Sequence, residues 1–324
     1  MKLSVIMSTY NNQATLQKAI DSVLSQSFKD FEFIIVNDGS VDATENVLKN
    51  NQDRDRRIVL IQQANAGLTG SLNAALSRAK GEYIARQDAD DTSLPGRLEE
   101  QINFLDSNNE IGFIGCDCEV VDEHGEFMNV IRIKNDPRKN GADLRNNNIY
   151  CHGSMMFRKE LMDKAGGYRD FFKYAQDYDL YLRLLEFTLP GSVNKTLYRR
   201  RIGLDGISIQ KIHLQAAYSN LAKKCCEIRR LNQNDNLLLT EAYLKKMEIP
   251  DHYDYMLLFM QSLNYVKYDE INKARALMRP CLSPADLKKY KLYLLWLLSY
   301  FPKQLRKSVL ALKSNYRRSK LIMK

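Results

Sequence analysis

Gly81-Glu82-Tyr83-Ile84-Ala85-Arg86-Gln87-Asp88-Ala89-Asp90-Asp91 is the stretch on which the fold of this chain turns. Residues 83–85 predict a short buried strand, apolar and β-prone after a glycine turn. Three carboxylates then fall within four residues, with no basic partner downstream until Arg97. In an extended chain residues two apart share a face, so Asp88 and Asp90 point the same way. Paired carboxylates of that kind suit a hard divalent cation, which takes oxygen ligands and relieves their repulsion. The competing reading is a solvated acidic turn, in which Asp91 or Thr92 caps the helix beyond Pro95.

Upstream of this stretch, strand and helix signals alternate. Residues 3–7 predict a strand and 13–25 a helix, with Ala14, Ala19, Ile20, Val23 and Leu24 at helical spacing. The unbroken apolar run 31–36 predicts a strand covered on both faces. A helix over 42–50, a strand over 57–62 and a helix through Leu68, Leu72 and Leu76 follow. Such alternation argues for an α/β fold with a mostly parallel, twisted sheet wound by right-handed crossovers and flanked by helices. Ligands of these sheets bind at the carboxyl ends of the strands. Here those ends carry Thr9 and Tyr10, Asp38, the Asn65-Ala66-Gly67 loop, and then Asp88 and Asp90. No spaced-glycine fingerprint follows the first strand, which argues against a standard nicotinamide or flavin site.

Downstream, the pattern is more mixed. It predicts a helix over 95–105, a strand over 111–116, a hairpin pairing 119–121 with 127–133, and a short strand over 154–157. An amphipathic helix over 177–187 and an edge strand over 193–199 complete this part. A second acidic cluster, Gln176-Asp177-Tyr178-Asp179, opens the amphipathic helix. Acids there serve as caps and complement the helix dipole, or Asp177 faces the crevice as a general base. After Ser208 the strand signal fades, and helices are expected over 216–230, 237–247, 253–265, 269–278 and 287–300. This places a boundary near Ser208, between an α/β domain (1–208) and an α-helical C-terminal appendage (209–324).

The 324 residues suffice for one large or two modest domains. The net charge of +9 is concentrated: residues 280–324 hold eleven Lys/Arg against one acid, Asp286, leaving the rest near neutral. Charge confined to one end argues against a nucleic-acid-binding protein. The opening residues turn polar too soon for a signal peptide, and the six cysteines include no Cys-x-x-Cys pair. A cytoplasmic protein with free thiols is therefore expected. The four histidines give no zinc spacing.

In order and spacing, Val5-Ile6-Met7-Ser8-Thr9-Tyr10-Asn11, Ile35-Val36-Asn37-Asp38-Gly39-Ser40, Asn65-Ala66-Gly67-Leu68, the Asp88-Ala89-Asp90-Asp91 turn, Pro95-Gly96-Arg97-Leu98 and Gln176-Asp177-Tyr178-Asp179 resemble the inverting glycosyltransferase family 2, over about the first 210 residues. The resemblance implies a glycosyltransferase A fold and transfer of a sugar from a nucleotide-sugar, expected to be a UDP-sugar, to a glycan or lipid-linked acceptor. Surface polysaccharide synthesis is the implied setting. By the same resemblance, Thr9, Tyr10, Asp38 and Gly67 lie on the donor side. Asp88 contacts the ribose or the metal, and Asp90 ligates Mn²⁺ or Mg²⁺ on the donor diphosphate. Asp177 is the base of a single inverting displacement. His152 and Asp179 are expected on the acceptor side, although a lone histidine is more often structural. Where many relatives carry an arginine before Asn73, this chain has Leu72. Arg86, or one of Arg199, Arg200 and Arg201, is expected to face the diphosphate instead; the other reading of Arg86 is a surface charge. The element typical of processive synthases is missing, which points to single addition. A non-catalytic membrane module and a nucleotidyltransferase are the alternative functions.

The tail has its own pattern. Residues 292–301 are largely apolar but too few to span a bilayer. Beyond Pro302, Leu305, Val309, Leu312 and Tyr316 fall on one helical face, among basic residues. A basic amphipathic helix lies on an anionic membrane surface or packs on its own domain. The former is the expectation, with the protein peripheral on the cytoplasmic membrane face.

Overall fold

In the computed structural model, residues 1–202, 212–244 and 271–278, with positions 262, 266 and 297, are described. Strands β1 (Leu3–Thr9), β2 (Phe31–Asp38), β3 (Ile58–Gln63) and β4 (Tyr83–Arg86) alternate with helices α1 (Leu16–Leu24), α2 (Thr44–Arg54) and α3 (Gly67–Arg78). These strands pair in parallel in the order β3-β2-β1-β4. The order reverses direction at β1, so a crevice opens beyond the carboxyl ends of β1 and β4, where such sheets bind ligands.

Beyond β4 the sheet is mixed. Strands β5 (Thr92–Ser93), β6 (Ile111–Asp122), β7 (Phe127–Ile131), β8 (Met156–Arg158) and β9 (Leu189–Ile202) extend it as β4-β8-β6-β9-β5, with β7 on β6. Of these later pairings only β6–β9 is parallel. Parallel pairing thus builds the first half and recurs at β6–β9 within a mixed second half. Strand β6 is continuous where a break was expected. Its polar Asp117 is accommodated in bulges of the β9 register, and its carboxylate accepts the Ile133 N–H at 3.0 Å. Strand β9 is not a bare edge, because β5 pairs with its Tyr198 and Arg199.

Alternation along the strands builds two cores. Leu3, Val5, Met7, Phe33 and Ile35 face Ile20 and Val23 of α1, Leu48 of α2, and Leu98 and Ile102 of α4 (Arg97–Ser107). Ile6, Ile34, Val36 and Ile84 face Leu72 of α3 and Leu180, Tyr181 and Leu184 of α7 (Gln176–Leu184). Each such buried side chain contributes about 1.5–3 kcal/mol. Two short helices, α5 (Pro137–Asn146) and α6 (Lys159–Lys164), fill the run before α7.

Helix α8 (Ile212–Arg230) adds Tyr218, Leu221, Ala222 and Cys225 to the second core. The compact unit carrying the site therefore comprises Met1–Gly203 with Leu214–Glu248, past the boundary expected near Ser208. Within the expected helix 237–247, the described residues form a 3-10 turn, Asp235–Leu238, and α9 (Glu241–Leu244). The second unit, Leu204–His213 with Ile249–Lys324, includes α10 (Ile271–Met278). The helices expected over 253–265 and 287–300 and the basic tail 302–324 fall outside the described residues, apart from positions 262 and 297. No described helix is long and apolar enough to cross a membrane.

Candidate active site

The loops after β1, β2 and β3 are tied to one another. Asp38, at the end of β2, accepts the backbone N–H groups of Ala66 at 2.8 Å and Gly67 at 2.9 Å, and the Gln63 amide at 2.8 Å. Gly39 is needed in this cradle: its φ is +76°, and a Cβ there would stand 2.9 Å from the Asn65 nitrogen. Asn11 closes the β1 side, donating its N–H to Ser40 Oγ at 3.0 Å and accepting from Val41 N–H at 2.9 Å. Thr9 is buried, with its hydroxyl on Asn12, whereas Tyr10 is 49% exposed and free to cover a flat ligand. Thr9, Tyr10, Asp38 and Gly67 thus share one rim.

The acidic turn after β4 stands on two buried arginines. Arg97 donates to the Arg86 carbonyl at 2.7 Å, to Ser93 Oγ at 2.8 Å and to the Gln87 amide oxygen at 3.2 Å. Its guanidinium lies 4.9 Å over the Tyr198 ring. Arg86 is 0% exposed, so it is neither a surface charge nor turned outward to phosphate. Four of its five N–H bonds are taken, by the Ile6 and Gln87 carbonyls, His152 and the Asp88 carboxylate. It orients Asp88, which also receives shape from Gly153: a Cβ there would lie 2.6 Å from Asp88 Oδ2 and overlap the Tyr198 hydroxyl. Neither Asp91 nor Thr92 caps α4, whose N-cap is Gly96 in the left-handed conformation.

The three acids differ in charge state. Burial works against ionised Asp88, but the charges of Arg86 and Arg200 and the hydrogen bond from Arg86 hold its carboxyl below the usual range. Asp90 is pushed up to about 6, by burial and then by the charge of Asp88. Asp91 is raised well above the ordinary value by burial and by both neighbours, and accepts the Arg201 N–H at 2.7 Å. Among the described residues no three His, Cys, Asp or Glu side chains converge as a metal cluster. The carboxylates of Asp88 and Asp90 are nevertheless hard oxygen donors of the kind a divalent cation takes, with Asp90 held in the field of Asp88. Asp88 and Asp90 are the residues that would hold it.

His152 is partly buried, with its ring tied to two neighbours. Its Nε2 receives Arg86 Nε–H at 3.3 Å and lies 2.8 Å from Tyr168 Oη. Burial and the Arg86 charge push it down to about 3, so it is neutral at ordinary pH. An arginine can only donate, so Nε2 is the bare nitrogen and the ring proton is on Nδ1. The histidine is a fixed acceptor joining Arg86 to Tyr168.

Asp177 opens α7, after Ala175 in a left-handed conformation (φ 51°). It is half-buried and accepts Asn148 Nδ2–H at 2.8 Å. Burial raises its carboxyl above the ordinary value, against the bonds from Tyr178 and Asn148, and the charge of Asp88 adds to the rise. Asp88 thus lies within electrostatic range of Asp177. Asp179 does not join them. It is 0% exposed and paired with Arg169 and Arg183, so its expected acceptor role is replaced by a structural one. Asn148, Tyr168 and Tyr198 are the site residues that the linear pattern missed; the Asn146-Asn147-Asn148 run offered only a loop signal.

Comparison with known proteins gives the family and the fold. The profile described as "Glycosyl transferase family 2" matches residues 4–166. EpsE of Bacillus subtilis is 34% identical over 249 residues, 75% of this chain and 88% of that protein. The O-antigen biosynthesis glycosyltransferase WbnJ of Escherichia coli is 34% identical over 56% of this chain and 71% of its own length. Among solved structures, S. aureus TarS 1-349 with UDP aligns over 98% of this chain and 92% of that chain, with TM-score 0.53 and 18% identity. The Pyrobaculum calidifontis mannosyltransferase PcManGT, in complex with GDP-Man and Mn²⁺, aligns over 96% and 84%, with TM-score 0.56 and 16% identity.

Proposed function

From the premise that this chain belongs to glycosyl transferase family 2 and is a glycosyltransferase of the glycosyltransferase A fold, we propose that it transfers a sugar from a UDP-sugar to a glycan or lipid-linked acceptor, with inversion, in surface polysaccharide synthesis. Relatives named for O-antigen and amylovoran biosynthesis support that setting. One observation carries the mechanism. A half-buried carboxylate of raised proton affinity, Asp177, sits within the field of the acidic turn at the strand ends.

The rim of Thr9, Tyr10, Asp38 and Gly67 takes the nucleoside. Asp88, oriented by Arg86, and Asp90 would hold a Mn²⁺ or Mg²⁺ ion, whose charge would offset that of the donor diphosphate. When bound, the ion supplies Lewis-acid stabilisation of the departing nucleoside diphosphate. Asp177 accepts the proton of the acceptor hydroxyl, and that oxygen forms the new bond to the anomeric carbon as the bond to the diphosphate breaks. A base whose proton affinity is raised towards neutrality is suited to the task. Nucleoside diphosphate release, with an inverted anomeric centre in the product by NMR, tests this; pyrophosphate release would instead mark a nucleotidyltransferase.

The basic tail supports attachment to an anionic membrane face, each cation near the surface contributing about 1 kcal/mol. Full-length protein is expected to sediment with phosphatidylserine vesicles at low salt and to lose this without residues 302–324. Equal sedimentation of the truncated chain would refute attachment through the tail.

A further inference from the structure

We propose that Asn148 is a positioning residue for Asp177: its amide N–H fixes the carboxylate that takes the acceptor proton. This rests on the assignment of Asp177 as base. The amide orientation is set from the other side, because Asn148 Oδ1 accepts the Tyr150 N–H at 3.2 Å, which leaves Nδ2 as the donor facing Asp177 at 2.8 Å. The loop itself is anchored on α7. The Tyr150 ring packs edge-on against Tyr181, one turn beyond Asp177, with centroids 6.1 Å apart, and its hydroxyl donates to the Gly191 carbonyl at 3.0 Å. Asn148 and Tyr150 thus grip the same face of α7 at positions i and i+4.

The segment then runs directly to the acidic turn. His152 receives Arg86, and Gly153 lies against Asp88. Six residues, 148–153, therefore touch both the base and the turn, and Asn148 is the link at the base end. The other titratable groups in the field of Asp177 are Asp88 from the end of β4, Tyr168 ahead of α7, and Tyr181 on α7 itself. The tyrosines stay protonated, because burial raises both. Asn148 is thus the side chain whose donated bond favours the ionised carboxylate against the push from Asp88.

The test uses the full chain with ¹³C-labelled aspartate, the Asp177 signal being assigned by its loss in Asp177→Asn. Asn148→Ala removes the donor. Asn148→Asp keeps an oxygen to accept the Tyr150 N–H, so the loop is preserved, but puts a carboxylate where the donor was. The Asp177 titration should move up by about one unit in Asn148→Ala and further in Asn148→Asp, with thermal midpoints near wild type. The acid limb of nucleoside diphosphate release should follow, with donor KM unchanged. An Asp177 titration identical in all three proteins would overturn the proposal, as would an activity loss equal at every pH. Should Asp177→Asn retain turnover, the base assignment fails, while the titration still reports whether Asn148 holds the carboxylate.

Discussion

At Asp90 the fold changes what an aspartate ordinarily does. Its carboxyl titrates at about 6 rather than 3.8, through burial and then through Asp88. A group raised in the folded state binds more protons there than in the unfolded chain. Stability without cation therefore falls as pH rises from about 4 to about 6. A divalent cation needs the ionised form, so its stabilising effect should grow over the same window. Manganese should raise the thermal midpoint more at about pH 7.5 than at about pH 5, and Asp90→Asn should remove the difference. A midpoint gain independent of pH and of Asp90 would mean that the ion binds elsewhere. The places of Asp38, Asp88 and Asp90 were legible in sequence because each lies at or within four residues of a strand's carboxyl end, so a local pattern fixes its edge of the sheet. Asn148 was not, because its partner lies 29 residues away and only packing brings them together.

Helix α7 shows how an element sorts two similar residues. Asp177 and Asp179 read as one cluster, but residues two apart on a helix lie about 200° apart, from 3.6 residues per turn. One faces the crevice and the other must enter the core. Asp179 there meets Arg169 and Arg183; Arg169 continues to Asp235 at 2.8 Å, and Asp235 to Arg229 of α8 at 2.6 Å. This network fastens α8 and the 3-10 turn to the helix that presents Asp177. Removing one partner of a buried pair costs about 3–5 kcal/mol. Asp179→Ala should accordingly lower the thermal midpoint by several degrees, while residual folded protein keeps its acceptor KM. A raised acceptor KM at unchanged stability would return Asp179 to the acceptor side. The strand pattern of β6 misled for a related reason: Asp117 breaks the apolar run in sequence, but a bulge lets its carboxylate bond the Ile133 N–H.

For the whole molecule, the first ninety residues were readable because each strand–helix pair is local and both faces of the sheet are covered. The mixed half was less so, since β8, β6 and β9 pair over long separations that no periodicity encodes. The same holds for α8, which carries apolar residues into the core of a domain expected to end before it. What the two halves create together is a crevice in which we propose a donor rim on the parallel side and a base, Asp177, presented by α7. Turnover of a nucleotide-sugar panel in Mn²⁺ by wild type and Asp177→Asn probes that pairing most directly. Wild type should release nucleoside diphosphate from at least one donor, and Asp177→Asn should bind that donor equally well yet turn over about a thousand-fold more slowly. Undiminished turnover in Asp177→Asn would contradict it.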